Sequence, residues 1–222
     1  MKNYKYFSII TGLFTACLII SNILDNKFFQ IGSADFPAGI LLFPIVYVFG
    51  DIFTEVYGYA QSRKAIWTGF FSLIILIVSV ELAAIVPPAS FWKNQAAFES
   101  ILGNVPRIAI ASVISYFAGE FINSFTVAKL KVKQGGKLMA IRFVASTIVG
   151  EAVDTFCFIL IAFAGIMETK EMVDVFLSAW IFKVLWEIIA LPISLPLVKW
   201  LKKAENEDYY DLHTNFTPFK LS

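Results

Sequence analysis

Apolar residues run along the chain in six long blocks, divided by short stretches that are polar or rich in aromatics. The blocks are Tyr4–Leu24, Phe36–Tyr57, Ala65–Val86, Arg107–Ala128, Ile141–Gly165 and Val173–Leu201. Each holds about 20 residues or more, enough at ~1.5 Å per residue to cross a bilayer core of ~30 Å. Backbone polar groups in lipid need partners within their own segment, so every block is expected to be helical. The pattern predicts an all-α membrane protein with six transmembrane helices. No internal repeat or low-complexity linker divides the chain, so residues 1–203 read as one domain and 204–222 as a polar cytoplasmic tail.

Composition agrees with the blocks. Of 222 residues, 58% are hydrophobic and 16% charged, whereas soluble domains carry roughly 25% charge. The net charge of +1 gives no basic surface for nucleic acid. Cys17 and Cys157 both fall inside apolar blocks, which argues against a disulfide framework or a cysteine metal site. Lys2 and Lys5 before an apolar run imitate a signal peptide, and Cys17 a lipoprotein box, but the run continues past it and five more blocks follow.

The basic residues give an orientation. Lys2, Lys5, Arg63, Lys64, Lys129, Lys131, Lys133, Lys137, Arg142, Lys199, Lys202 and Lys203 gather on one side of the six blocks. Lys27, Lys93, Arg107 and Lys170 are left for the other. The positive-inside rule then puts both termini in the cytoplasm. The connection Asp25–Phe36 has the composition of a short hairpin or re-entrant piece on the outer side. The connection Pro87–Pro106 carries Phe91, Trp92 and Phe98 as interfacial anchors. Pro44, Gly50, Pro192 and Pro196 fall inside blocks as kinks or hinges, and Ser8, Gly12 and Ala16 form a small-residue row suited to close helix packing.

The candidate chemistry is ionisable groups at membrane depth, where a charge costs at least ~2.5–3.5 kcal/mol. Asp51, Glu55, Glu81, Glu120, Glu151, Asp154, Lys183 and Glu187 qualify, with Glu81 nearest the outer surface. Asp154 lies roughly 18 Å along block five and Lys183 roughly 15 Å along block six. The two blocks run in opposite directions, so an Asp154–Lys183 ion pair near the midplane is expected, either purely structural or lining a binding site. Glu151 with Asp154 and Glu120 with Asn123 are spaced i, i+3, and Lys183 with Glu187 i, i+4, so three helices each carry a polar stripe. Asp51 and Glu55 share a face at the cytoplasmic end of block two, near Arg63, Lys64 and Arg142, as a charge clamp or a substrate contact.

The segment Phe43-Pro44-Ile45-Val46-Tyr47-Val48-Phe49-Gly50-Asp51-Ile52-Phe53-Thr54-Glu55-Val56-Tyr57-Gly58-Tyr59 resembles the signature of the queuosine precursor transporter family, also called the VUT family. Ser21-Asn22, Asn26-Lys27, Ala38-Gly39, Ala111-Ser112, Arg142 with Ser146, Asp154-Thr155, and Trp180 with Lys183 extend the resemblance over roughly residues 8–203. It implies a multi-pass importer in the bacterial inner membrane. The cargo would be 7-deazaguanine bases, 7-cyano-7-deazaguanine or its aminomethyl analogue, or queuine in some lineages, salvaged for the queuosine modification of tRNA. No cofactor is implied; the partners are the base and membrane lipid, with a homo-oligomer left open. The residues expected to bind or pass the base are Asn22, Asp51, Glu55, Glu120, Asn123, Arg142, Glu151, Asp154, Trp180, Lys183 and Glu187. A carboxylate, Asp154 or Glu120, suits the ring N–H and exocyclic amino group together. Lys183 or Asn22 suits the carbonyl, and Trp180, Phe158 and Tyr47 the ring faces.

Of three rivals from other classes, a structural membrane protein is argued against by the charges at membrane depth, and two need closer comparison. One is the substrate-binding membrane subunit of an energy-coupling-factor importer, which also has about six spans. Such subunits dock through paired alanines on the first span, where this chain has Gly12 and Ala16, and copurification of an ATPase would identify one. The other is an intramembrane enzyme, against which stands the lack of HExxH, GxSxG or a Ser/His or Cys/His pair, with the single His213 in the tail.

Overall fold

The computed structural model describes residues 4–24, 27–31, 34–102 and 106–219. Lys2, Asn26 and Gly32, and the side chain of Arg107, lie outside them. Seven α-helices follow in order: α1 (Phe7–Leu24), α2 (Phe43–Ile52), α3 (Tyr59–Ile85), α4 (Gln95–Leu102), α5 (Pro106–Lys133), α6 (Met139–Phe163) and α7 (Thr169–Glu205). Between α1 and α2 a hairpin of β1 (Phe28–Ile31) and β2 (Ala34–Pro37) pairs antiparallel, with Phe29 opposite Phe36. The short hairpin expected between the first two blocks is therefore present.

Five helices, α1, α3, α5, α6 and α7, are long and apolar enough to cross a membrane. The block Phe36–Tyr57 is not the continuous helix its hydropathy predicts. It opens in β2, passes a 3-10 turn at Ala38–Leu41, becomes α2, and closes in a π turn at Phe53–Tyr57. Pro44 sits in the first turn of α2, where its missing N–H costs nothing, so the helix starts there instead of running through. By contrast Pro192 and Pro196 lie inside an unbroken α7. At 37 residues α7 extends about 55 Å, well beyond a bilayer core, and carries its basic end clear of it. Its start is fixed by a capping box between Glu168 and Glu171.

The chain ends meet at one end of the bundle. The Lys5 and Tyr6 amides donate to the Glu205 carboxylate at 2.9 and 2.6 Å, joining the start of α1 to the end of α7. Tyr57 at the close of the π turn donates to the same carboxylate at 2.9 Å. The tail is not a free polar segment, as its composition suggests, but lies folded over this end. Tyr59 N donates to Asp211, Arg63 Nη1 to the carbonyls of Asn215 and Thr217, and Trp67 Nε1 to that of Pro218.

Burial is inverted relative to a soluble protein. Ile75, Leu82, Leu160, Ile189 and Ile193 face outward, whereas Glu55, Glu120 and Arg142 are wholly enclosed. Such a surface suits lipid. The inner face of α1 is Phe14, Leu18 and Ser21, with Phe14 edge-on to Phe53 at 5.5 Å. The small-residue row Ser8, Gly12 and Ala16 points away from the bundle, contrary to expectation, because the aromatic face buries more area.

The most extensively packed pair is α5 with α6. They cross at Gly119 and Gly150. A Cβ on Gly119 would lie 2.6 Å from Tyr47 Oη, 2.7 Å from Asp154 Cβ and 3.0 Å from the Gly150 carbonyl. Only hydrogen fits there, so this approach sets the depth at which Glu120 and Asp154 meet. Gly119→Ala is expected to lower stability by about 1–3 kcal/mol through overpacking. Gly12→Ala, with open space around it, is expected to leave stability unchanged or raise it by up to ~1 kcal/mol. Thermal unfolding of the two variants in detergent, beside the parent, checks the contrast.

Candidate functional site

Two polar clusters lie inside the bundle, one turn apart along α2. The first surrounds Glu55 on the π turn. Arg142 at the start of α6 grips it with both arms, Nε to Oε2 and Nη2 to Oε1, each at 2.7 Å. Lys202 of α7 reaches Oε1, and Lys131 of α5 lies 3.7 Å from the same atom while donating to the Glu55 carbonyl. Asp208 of the tail bridges Lys131 and Lys202. Partial burial opposes ionisation of Asp208, but the hydrogen bonds from Lys131 and Lys202 outweigh it and hold the carboxyl below its usual range. The α5–α6 turn completes the setting, with carbonyls of Gly136 and Lys137 accepting from Arg142, and Leu138 held at φ 56. A non-glycine residue at positive φ is uncommon, and here it stands where the turn enters α6.

The second cluster lies deeper, where α2, α5, α6 and α7 converge. Lys183 Nζ is 2.7 Å from Asp154 Oδ2 and 2.7 Å from Glu151 Oε2, with Thr155 Oγ1 at 3.3 Å and the Phe43 ring centroid at 4.8 Å. The spacing-based pairing of Asp154 with Lys183 is thus present, and Glu151 makes it a triad. Beside it Asp51 Oδ1 accepts from Asn123 Nδ2 at 2.8 Å and from Ser146 Oγ at 3.4 Å. Glu120 is fully buried next to Gly50, whose missing side chain makes room for its carboxyl group. Among the described residues both oxygens of Glu120, both of Glu187, Asp51 Oδ2, Asn123 Oδ1 and the Tyr47 hydroxyl are buried with no hydrogen-bond partner. Buried polar groups are normally satisfied, so this concentration of free acceptors marks the deep cluster as the candidate site.

Nine of the eleven residues singled out in the sequence fall in these two clusters: Glu55 and Arg142 in the first, and Asp51, Glu120, Asn123, Glu151, Asp154, Lys183 and Glu187 in the second. The other two do not. Asn22 turns its amide to the Leu18 carbonyl of its own helix at 2.9 Å. Trp180 donates from Nε1 to the Ile148 carbonyl at 2.9 Å and stacks on Phe176, which ties α7 to α6. The sequence reading missed Lys131, Lys202 and Asp208, which it counted only as flanking charges or tail. The approach of Lys131 and Lys202 to Glu55 spans 76 residues or more and leaves no local signal.

Removing the Glu55 charge leaves Arg142 without its ionic partner and Lys131 and Lys202 with Asp208 alone. Glu55→Gln is expected to cost about 3–5 kcal/mol, as for one partner of a buried ion pair. A fall in the temperature at which the detergent-solubilised monodisperse peak is lost would register this, and an unchanged midpoint would count against the clamp as a structural keystone.

The chain matches the family model described as "Putative vitamin uptake transporter" over residues 37–197. It is 27% identical over 195 residues to a probable queuosine precursor transporter of Bacillus subtilis (strain 168), covering 87% of this chain and 84% of the relative. It is 26% identical over 171 residues to the queuosine precursor transporter of Escherichia coli (strain K12), covering 74% of each. A probable queuosine precursor transporter of Haemophilus influenzae is 30% identical over 127 residues, 56% of this chain and 51% of the relative. No solved structure matches.

Proposed function

The chain belongs to the vitamin uptake and queuosine precursor transporter family, multi-pass membrane proteins that are transporters and not enzymes, and we propose that it imports 7-deazaguanine precursors of queuosine across the bacterial inner membrane. The observation that carries the proposal is the unpartnered Glu120 carboxyl group in a buried, glycine-lined junction. A deazaguanine presents a ring N–H and an exocyclic amino group side by side. A carboxylate accepts both in a charge-assisted fork, which is the complement Glu120 lacks within the protein. The Tyr47 hydroxyl is free to donate to the ring carbonyl, and the Lys183 ammonium, beside the Phe43 ring, holds the triad that walls the site. The aminomethyl analogue adds a cation, for which the excess of carboxyl groups over Lys183 is suited.

In this proposal the chain crosses the membrane six times, α2 and its flanking turns being the second crossing. Support comes from the shared end: α1, α3 and α6 start there, and the π turn, α5 and α7 finish there. Arg63, Lys131, Arg142 and Lys202 cluster at that end, so it is the cytoplasmic one, with both termini inside. The Glu55 clamp then closes the cytoplasmic exit and must part to release the base, as alternating access requires.

The test is rescue of a bacterial host that neither makes deazaguanines nor imports them. The cyano base, the aminomethyl base and queuine are supplied separately at low concentration, and queuosine in tRNA is measured. Expression of the parent is expected to restore modification with at least one base. Asp154→Asn and Lys183→Ala are expected to lower it about 10-fold or more while still reaching the membrane, the cost of a lost charge-assisted contact. No rescue with any base, in a host able to use all three, contradicts the proposal.

A further inference from the structure

Five carboxyl groups, Asp51, Glu120, Glu151, Asp154 and Glu187, converge in the deep cluster around one ammonium, Lys183. The ammonium is committed to α6, where Glu151 and Asp154 take it. The cations of the first cluster are committed to Glu55 and Asp208. Asp51, Glu120 and Glu187 are left without any ion pair among the described residues, and of the three Glu120 takes its donors from the base in the proposed complex. Glu187 is 1% exposed with both oxygens unpartnered, and Asp51 is fully enclosed with Oδ2 unpartnered. Asp51 lies on α2 and Glu187 on α7, two helices that pack against each other.

We infer that Asp51 and Glu187 form a shared proton site that couples transport to the proton gradient. An ionised carboxylate buried without donors costs far more than a fold can absorb, so such a group takes up a proton instead. Two neighbouring carboxyl groups without a cation hold at least one proton between them, because both cannot ionise together. A metal ion is the less suitable occupant, since no group of three acidic, histidine or cysteine side chains among the described residues converges to hold one.

The surroundings fit a carrier. Asp51 faces Glu187 of α7, Glu120 and Asn123 of α5 and Ser146 of α6, with Glu55 one turn along its own helix. Glu187 faces Asp51 of α2 and Glu151 of α6, with Lys183 one turn along α7. The pair thus lies within the deep cluster, on two helices that must separate when the clamp parts. A proton taken from the outer side onto a carboxylate oxygen leaves to cytoplasmic water when that opening rehydrates the pair. No bond to the base forms or breaks. A neutral base moves inward with at least one proton, so the cycle carries positive charge in and accumulates base against its gradient.

The inference rests on the transport proposal, and the experiment separates the two. The full chain is reconstituted into vesicles of bacterial polar lipid loaded with a pH-sensitive dye, with the membrane potential clamped at zero. Labelled 7-cyano-7-deazaguanine is added outside, with and without an outside-acid gradient. One proton per base is expected to give about tenfold accumulation per unit of pH gradient, together with base-dependent acidification of the lumen. In Glu187→Gln and Asp51→Asn the accumulation ratio, an equilibrium quantity that does not depend on how fast a variant works, is expected to fall toward one. Parent vesicles that take up and exchange base but neither accumulate it with the gradient nor acidify overturn the coupling and leave transport standing. Absence of both uptake and exchange overturns transport and the coupling with it. Infrared spectra of the same vesicles without base check the pair separately: a protonated-carboxyl band at neutral pH that weakens in Glu187→Gln is expected, and no such band overturns the shared proton site.

Discussion

A charge removed from water must be met by a partner or given up as a proton, and the interior of this protein is arranged around that demand. At the clamp the demand is met in full. Glu55, enclosed on the π turn, draws Arg142, Lys202 and Lys131 from three helices, and Asp208 brings the tail to the surplus cations. One carboxylate therefore decides where α2, α5, α6, α7 and the tail come together. In the deep cluster Lys183 satisfies Glu151 and Asp154, while Glu120, Glu187 and one oxygen of Asp51 have no donor among the described residues. A fold that meets the charges of its clamp and leaves acceptors unmet in the middle has its candidate site in the middle.

The backbone makes this possible by being irregular where the charges lie. A continuous helix through residues 36–57 would place Asp51 and Glu55 on one straight face. The strand, 3-10 turn, short α2 and π turn shorten the helical stretch and close it at Tyr57 beside Glu205. The close crossing of Gly119 and Gly150 does the corresponding work for α5 and α6, bringing Glu120, Asn123, Glu151 and Asp154 into one junction. Irregular backbone at membrane depth is tolerated where protein or a polar cavity surrounds it, and α2 lies among the other helices, with Val46, Tyr47 and Ile52 buried.

Much of this was legible in the chain. Hydropathy located α1, α3, α5, α6 and α7 because lipid demands a minimum length of apolar residues. Helical spacing put Glu151 with Asp154 and Lys183 with Glu187 on shared faces, and opposite helix directions paired Asp154 with Lys183. Other features were not legible, for physical reasons. Hydropathy measures affinity for lipid and does not register whether twenty apolar residues form one helix or several pieces, so residues 36–57 read as one continuous helix. Lys131 and Lys202 looked like loop charges because their partner is distant in sequence and their burial is a tertiary event. The polarity of the tail says only that water suits it, and Arg63, Trp67 and Tyr59 offer its carbonyls and Asp211 better-placed partners. Asn22 was expected in the site as a donor to the base's carbonyl, yet its amide goes to a carbonyl of its own helix.

Direct binding to the purified protein tests most simply whether the unpartnered acceptors are a recognition site. Titration calorimetry with 7-cyano-7-deazaguanine is the measurement, comparing the parent with Glu120→Gln, whose amide can no longer accept two donors. Saturable binding by the parent, weakened about tenfold or more in the variant, is the expected result. Equal binding by parent and variant, or none by a folded parent, would contradict the assignment of the deep cluster as the place where the base is held.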